Sequence, residues 1–206
     1  MTEVDWRACA DLGPMLRFVR DWGSDRKMRL FGAACYRSVW AKVAVSELEW
    51  EVLRASEAYA DGAVTKQVFK FTRKRVGFLA GPCVAGEAWE VAGGSSRRCL
   101  GQRAVVPGGP IEFDRLEELS LQLAFLHDIF GNPFRPVEFD AEWRTPTVTQ
   151  LAQHIYEARA FTTMPILADA LQDAGCDNAD VLNHCRDATA THVRGCWVVD
   201  LVLEKS

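Results

Sequence analysis

The stretch Asp114-Arg-Leu-Glu-Glu-Leu-Ser-Leu-Gln-Leu-Ala-Phe-Leu-His-Asp-Ile-Phe130 carries the strongest periodicity in the chain. Its apolar residues recur at three- and four-residue intervals over four turns, at Leu116, Leu119, Leu123, Leu126 and Phe130. This spacing places them on one face of an α-helix. Gly131-Asn-Pro133 follows directly and predicts the end of that helix, because glycine and proline both favour helix termination.

Helix start signals recur on both sides of this stretch, and they predict an all-α fold. Each is a short polar side chain that can accept a hydrogen bond from a free backbone N–H of the first helical turn. The predicted caps are Ser24, Ser46 with Glu49, Thr145 before Pro146, and Asn178. A weaker helix is predicted over about Thr65 to Val76. The apolar segment Val193 to Leu203 favours a helix, with a strand as the alternative.

A segment rich in glycine and proline interrupts the helical pattern between residues 77 and 112. So long a loop without structure is uncommon inside a compact domain. We therefore predict two packed helical subdomains, residues 1–80 and 113–206, joined by a linker or loop over residues 81–112. A short hairpin formed by Ala88–Val91 and Arg103–Val106 is an alternative for part of this segment.

Composition places the chain among ordinary globular proteins. It has 206 residues, a net charge of −4 and seven cysteines. The polar, acidic start is not typical of a secretory signal. No apolar run approaches the roughly 18 residues that a membrane span needs. We therefore expect a cytoplasmic protein with reduced thiols and no membrane partner. The charge gives no overall attraction to nucleic acid.

Side chains that can bind metal are concentrated in the last third of the chain. Three of the seven cysteines and two of the four histidines lie between Cys176 and Cys196. Zinc takes four such ligands in a tetrahedron, and the set offered is Cys176, Cys185, His192 and Cys196, with His184 as an alternate to Cys185. The spacing matches no common zinc motif. The alternative is that these cysteines fill the core and that no cofactor binds. A Cys–His nucleophile pair built from the same residues is a further alternative.

A basic stretch follows the predicted fourth helix, and aromatic residues Phe69 and Phe71 alternate with its charges. Its residues are Lys66, Lys70, Arg73, Lys74 and Arg75, followed by Arg97, Arg98 and Arg103. Basic residues alternating with aromatic ones can bind nucleic acid through phosphates and base stacking. The alternative is a helix with a solvated basic face and a buried aromatic face.

Several longer segments resemble an uncharacterised, highly paralogous bacterial family. They are Asp128-Ile-Phe-Gly-Asn-Pro-Phe-Arg-Pro136, Met164-Pro-Ile-Leu-Ala-Asp-Ala-Leu-Gln-Asp-Ala-Gly-Cys176, His184-Cys-Arg186 and His192-Val-Arg-Gly-Cys-Trp-Val-Val-Asp200. The segment Ser24-Asp-Arg-Lys-Met-Arg-Leu-Phe31 with Cys35 resembles the other half of the family. Ala168–Gly175 is also similar to repeat-companion domains. The resemblance implies a bacterial origin and a helical fold, and it implies no activity.

The sequence contains no recognisable catalytic motif, neither a phosphate-binding loop nor a nucleophile elbow nor a zinc-protease helix. We therefore expect a non-enzymatic protein-interaction or scaffold module of the bacterial cytoplasm, with another protein as its partner. The seven tryptophans agree with this expectation, because tryptophan is enriched at interface hot spots. The two alternatives are a nucleic-acid-associated protein and a metal-dependent or thiol enzyme.

Overall fold

The computed structural model describes residues 1–42, 45–76, 93, 103–106, 109–112 and 114–205. Helices dominate these residues, so the predicted all-α class is confirmed. The bounds are α1 Glu3–Ala8, α2 Leu12–Val19, α3 Asp25–Trp40, α4 Glu47–Ala60, α5 Lys66–Val76, α6 Arg115–Phe130, α7 Pro146–Ala158, α8 Met164–Asp173, α9 Ala179–Arg186 and α10 Trp197–Val202. No helix in this described part of the chain is long and apolar enough to cross a membrane.

The chain divides into two compact units at the end of α6. Apart from the first two residues, the N-terminal unit is Glu3–Phe125 and the C-terminal unit is Leu126–Ser206. The helix α6 therefore contributes its last turn to the second unit. Most of the predicted linker, residues 81–112, lies outside the described residues, and the predicted boundaries stay predictions.

The predicted caps open the helices to which they were assigned. Ser46 and Glu49 form a reciprocal capping box at the start of α4, and Ser24 accepts from the backbone N–H of Lys27 in α3. Thr145 accepts from the N–H of Val148 at the start of α7. These contacts are local, which is why the sequence alone could predict them.

A short antiparallel hairpin precedes α6. Its strands are β1, Arg103–Val106, and β2, Gly109–Glu112, with Arg103 opposite Glu112 and Val106 opposite Gly109. A hairpin of Ala88–Val91 with Arg103–Val106 is one of the alternatives that the sequence leaves open for this segment, and Arg103–Val106 does form a strand. The structure instead pairs β1 with the strand that directly follows it. Residues 88–91 lie outside the described residues.

The N-terminal unit is held together by aromatic and ionic contacts between consecutive helices. Tyr59 of α4 and Phe69 of α5 stack with ring centroids 4.9 Å apart. The guanidinium of Arg37 in α3 lies 2.9 Å from the carboxylate of Glu57 in α4, and Glu57 is buried. Arg37 is itself 30% exposed, and without it the buried carboxylate of Glu57 would be uncompensated, so the pair favours the observed contact between α3 and α4.

The buried face of α6 differs from the predicted apolar stripe in its first two turns. Leu116 is 74% exposed, whereas Glu118 and Gln122 are buried. The Glu118 carboxylate accepts hydrogen bonds from the Gln122 side-chain amide at 3.0 Å and from the Ser38 hydroxyl at 3.0 Å. These bonds compensate for the burial of polar groups, which a count of apolar residues cannot anticipate. Further along the helix, Leu126 is buried as predicted.

The C-terminal unit packs α7 to α10 around one apolar core. Its fully buried side chains include Ile155 of α7, Leu167 of α8 and Val199 of α10. For Val193 to Leu203 the sequence favours a helix and leaves a strand as the alternative. The structure forms the short helix α10 over Trp197–Val202 of this segment. This unit contains the candidate site.

Candidate metal centre

The site begins at the C-terminal end of α6, where the helix stops at Gly131. Gly131 has a φ of +65°, and its N–H donates to the carbonyl of His127 at 2.9 Å. A Cβ at this position would lie 3.1 Å from Cγ of Trp197. Glycine therefore serves two purposes here, because it allows the left-handed conformation and lets the indole pack against the backbone. Trp197 is the first residue of α10, so this contact brings the start of α10 to the end of α6.

Asp128 lies three residues before this glycine and is almost completely buried. Its Oδ2 accepts a hydrogen bond from the backbone N–H of Val193 at 2.8 Å. Its Oδ1 lies 2.8 Å from Nδ1 of His192 and 3.1 Å from Nε2 of His184. The Val193 N–H fixes the plane of the carboxylate, so that one oxygen faces both imidazoles.

Cys196 completes the group from the N-terminal end of α10. It follows Gly195, whose φ is +96°, and its backbone N–H donates to the carbonyl of Val193 at 3.0 Å. This turn places Sγ of Cys196 3.2 Å from Nε2 of His184 and 3.9 Å from Nδ1 of His192. The Cys196 side chain is fully buried.

Four donor atoms therefore converge on one point. One atom each from Asp128, His184, His192 and Cys196 lies within 4.8 Å of the others. Ligands at ~2.0–2.3 Å from a tetrahedral zinc ion are about 3.3–3.7 Å from each other. The four separations given above run from 2.8 to 3.9 Å. The group can therefore hold a metal ion with only small side-chain movements.

The way the histidines are oriented argues for a metal site over a nucleophile triad. In a triad the imidazole bridges nucleophile and carboxylate with its two opposite nitrogens. Here His184 approaches both Asp128 and Cys196 with the same atom, Nε2, and His192 approaches both with Nδ1. Each ring thus presents one nitrogen to a shared centre, which is the arrangement of ligands around an ion.

The pKa values of the two acidic members of the group, Asp128 and Cys196, are shifted in opposite directions. Burial alone would raise the pKa of Asp128, but hydrogen bonds from His184 and His192 outweigh it and hold that pKa below its ordinary value. Burial raises the pKa of the Cys196 thiol well above its ordinary value, and the Asp128 carboxylate raises it further. Without a cation the site therefore combines an ionised carboxylate with a neutral thiol. A neutral, buried thiol is a poor nucleophile.

The structure separates the predicted metal ligands into two groups. His192, Cys196 and the alternate His184 come together with Asp128. Cys176 and Cys185 are not members of this group, and like Cys196 they are buried among the apolar side chains of the core. Burial raises the pKa of both thiols, and that of Cys185 reaches about 12. Both neutral thiols are suited to packing among apolar side chains.

Asp128 is the member of the group that sequence reasoning missed. It lies 56 residues before His184, the nearest member of the group in sequence, and spacing rules consider only ligands that are close in sequence. One signal was present, because Asp128 lies close to the apolar residues Leu126, Ile129 and Phe130 and three residues before a helix-ending glycine. A carboxylate in such a position is buried and needs partners.

The basic stretch is described only in part. Lys66, Lys70 and Lys74 are exposed on α5, at the spacing that puts them on one helix face. The two aromatic residues of this stretch differ in exposure, because Phe69 is buried and Phe71 is 70% exposed. The side chains of Arg73, Arg75 and Arg103 lie outside the described part of the structure, as do residues Arg97 and Arg98 entirely.

Comparison with known proteins gives no match, because no family model, no curated protein and no solved structure is significantly similar to this chain.

Proposed function

We propose that the C-terminal unit binds one zinc ion through Asp128, His184, His192 and Cys196. We further propose that the chain is a zinc-stabilised, non-enzymatic protein-interaction module of the bacterial cytoplasm. The observation that carries the metal proposal is the convergence of four donor atoms, from three separate segments, within 4.8 Å. The interaction role rests on the saturation of the site described below and on the lack of a catalytic motif in the sequence.

The donor types favour zinc over other divalent ions. Magnesium and calcium prefer oxygen ligands, whereas zinc binds thiolate, imidazole and carboxylate together in a tetrahedron. The carboxylate of Asp128 and the thiolate of Cys196 would balance the two positive charges of the ion. This neutrality matters because the site is largely buried, where an uncompensated charge is strongly unfavourable.

Four protein ligands favour a structural role for the ion. A tetrahedral zinc ion with four side-chain ligands has no open position for water or substrate. The ligands belong to the end of α6, to α9 and to the segment that leads into α10. An ion that links these segments contributes its binding free energy to folding. It would hold the surface of the C-terminal unit in a fixed shape for a partner.

Titration with Co²⁺ tests the ligand set directly, because tetrahedral cobalt with a thiolate ligand has visible bands and a sulfur-to-metal charge-transfer band. The wild-type protein should give both. In Cys196→Ser the charge-transfer band should disappear. The matched control is Cys185→Ser, since Cys185 is also a buried cysteine of this unit and should leave the spectrum unchanged. The opposite pattern, or a wild-type spectrum without thiolate character, would refute the proposed ligands.

A second candidate function is nucleic-acid binding by α5. It is favoured by the exposed Phe71 beside Lys66, Lys70 and Lys74, because an aromatic ring among lysines can stack on a base while the lysines contact phosphates. Three phosphate contacts predict a salt slope of about −2.7 for double-stranded DNA and a shallower one for single strands.

Gel shifts at low salt with the triple lysine-to-glutamate variant test this candidate. The matched control makes the same charge change at three exposed arginines of the N-terminal unit: Arg7, Arg17 and Arg20. Specific use of α5 predicts that only the lysine variant loses binding. Equal losses in both variants, or no shift for the wild type at micromolar protein, would remove the nucleic-acid hypothesis.

A further inference from the structure

The side chain of Trp197 contacts two of the segments that form the proposed zinc site. Its indole packs against the backbone of Gly131 at the end of α6, where a Cβ would lie 3.1 Å from Cγ and 3.3 Å from Cδ2 of the ring. The centroid of the indole lies 5.1 Å from that of the His184 imidazole, and the two planes are tilted by 53°. One side chain is therefore in contact with α6, three residues beyond Asp128, and with the ring of a second proposed ligand.

The His184 ring lacks the hydrogen bond that usually orients a metal-binding imidazole. A ligating histidine normally donates its second ring N–H to a carboxylate, a carbonyl or a water molecule. Nε2 of His184 faces Asp128 and Cys196, and no hydrogen bond joins its Nδ1 to any residue that the structure describes. The χ2 torsion of histidine is intrinsically broad. The orientation of this ring therefore depends on the side chains that pack against it.

Two aromatic rings pack against the His184 imidazole. One is His192, whose ring centroid lies 4.9 Å away and which is itself a proposed ligand. The other is Trp197, which is outside the group of ligands. Trp197 is held by Gly131 and by the apolar core of the C-terminal unit, and neither contact requires an ion. The indole therefore limits rotation of the His184 ring before a metal binds.

We propose that Trp197 is a positioning residue of the zinc site, and that its indole holds the His184 imidazole with Nε2 directed at the ion. This inference rests on the proposed zinc site and adds to it a residue that binds no metal itself. Replacing a residue that orients a metal ligand typically weakens metal binding tenfold to 100-fold. Loss of the indole should therefore weaken zinc binding while all four ligands remain.

The zinc affinity of Trp197→Leu, measured by competition with a chromophoric chelator, tests this role. The variant should bind zinc at least tenfold more weakly than the wild type, and Trp197→Phe, which keeps a flat ring, should recover most of the loss. The matched control is Trp143→Leu, which should bind zinc like the wild type. Trp143 also packs against this core, with its ring 5.2 Å from that of Phe139, and is outside the group of ligands. If Trp197→Leu does not fold, Trp197→Met replaces it, because methionine fills irregular spaces in a core.

A double-mutant cycle tests whether Trp197 acts through His184. In protein that carries His184→Ala, the further change Trp197→Leu should alter zinc affinity less than twofold, because no imidazole is left to orient. A tenfold loss in both backgrounds would show that Trp197 only supports the fold, and would overturn the proposal. An equal loss in Trp143→Leu would overturn it as well.

Zinc binding by the wild type is measured on the same preparations, so that two kinds of failure can be distinguished. A wild type that binds no zinc contradicts the proposed site and this inference with it. A wild type that binds zinc, together with a Trp197→Leu variant of equal affinity, overturns only the role of Trp197 and leaves the site standing.

Discussion

Replacing Asp128 with asparagine is the sharpest perturbation of the candidate metal centre. Asparagine has nearly the same shape, so packing is preserved while the charge is lost. The Asp128 carboxylate has three polar neighbours within 3.1 Å: the N–H of Val193, Nδ1 of His192 and Nε2 of His184. The amide group offers only one oxygen, so the NH₂ group must face a former donor.

The magnitude of the loss follows from these contacts. Hydrogen bonds to a charged group contribute roughly 1.5–3 kcal/mol each, and breaking a buried charged pair costs roughly 3–5 kcal/mol. We therefore expect Asp128→Asn to lower the free energy of unfolding by about 3 kcal/mol in metal-free protein. Zinc at one hundred times its dissociation constant stabilises the wild type by about 2.7 kcal/mol more. The variant should lose most of that gain, so the difference grows to nearly 6 kcal/mol.

Urea unfolding with and without a chelator measures both parts. Because the chain forms two compact units, the transition to fit is the one that zinc shifts. The matched control is Asp180→Asn, whose side chain is 39% exposed and lies 3.4 Å from Arg135. Exposed pairs contribute at most about 1 kcal/mol. The reasoning would be refuted if the two variants were equally stable, or if zinc stabilised Asp128→Asn as much as the wild type.

Three further predictions concern the surroundings of the site. Replacing Gly131 or Gly175 with alanine should lower stability by about 1–2 kcal/mol, because both glycines have a positive φ. Thermal unfolding should show the larger loss for Gly131→Ala, because the new Cβ would lie 3.1 Å from the Trp197 ring, whereas a Cβ at Gly175 would meet open space. The pKa of Cys185 is raised to about 12, so its contribution to stability is complete below the ordinary thiol pKa and is lost as pH rises toward 12. Comparing Cys185→Ala with the wild type between pH 9 and 12 should reveal a slope of about 1.4 kcal/mol per pH unit that the variant lacks; equal slopes would contradict the shift. Iodoacetamide should modify Cys9, which is partly exposed, before the buried Cys185, and mass spectrometry of cleaved peptides would detect the reverse order.

The helices were predictable because their signals are local. The capping box of Ser46 and Glu49 and the cap at Thr145 each involve residues three positions apart. The start of α6 was harder to predict from the same rules. Its buried residues Glu118 and Gln122 are polar, and their burial depends on Ser38, eighty residues earlier. Apolar periodicity contains no information about such a partner.

The candidate site shows the same division between local and long-range information. Clustering in sequence drew attention to His184, His192 and Cys196, which the structure brings together. It also included Cys176 and Cys185, which the structure does not bring into this group. Which of these five side chains join the group depends on how the C-terminal helices pack against one another. It also depends on which of them that packing places next to Asp128. Neither can be read from the spacing of cysteines and histidines.

The zinc content of purified protein tests the central claim most directly. The wild type should be purified without added metal, then exposed to a small excess of zinc and passed through a desalting column. Elemental analysis should find about one zinc ion per chain, as a tetrahedral site of four ligands requires. Cys196→Ser and Asp128→Asn should hold much less, and Cys185→Ser should hold the same amount as the wild type. A wild type that retains no zinc, or an Asp128→Asn variant that retains a full equivalent, would contradict the proposed centre.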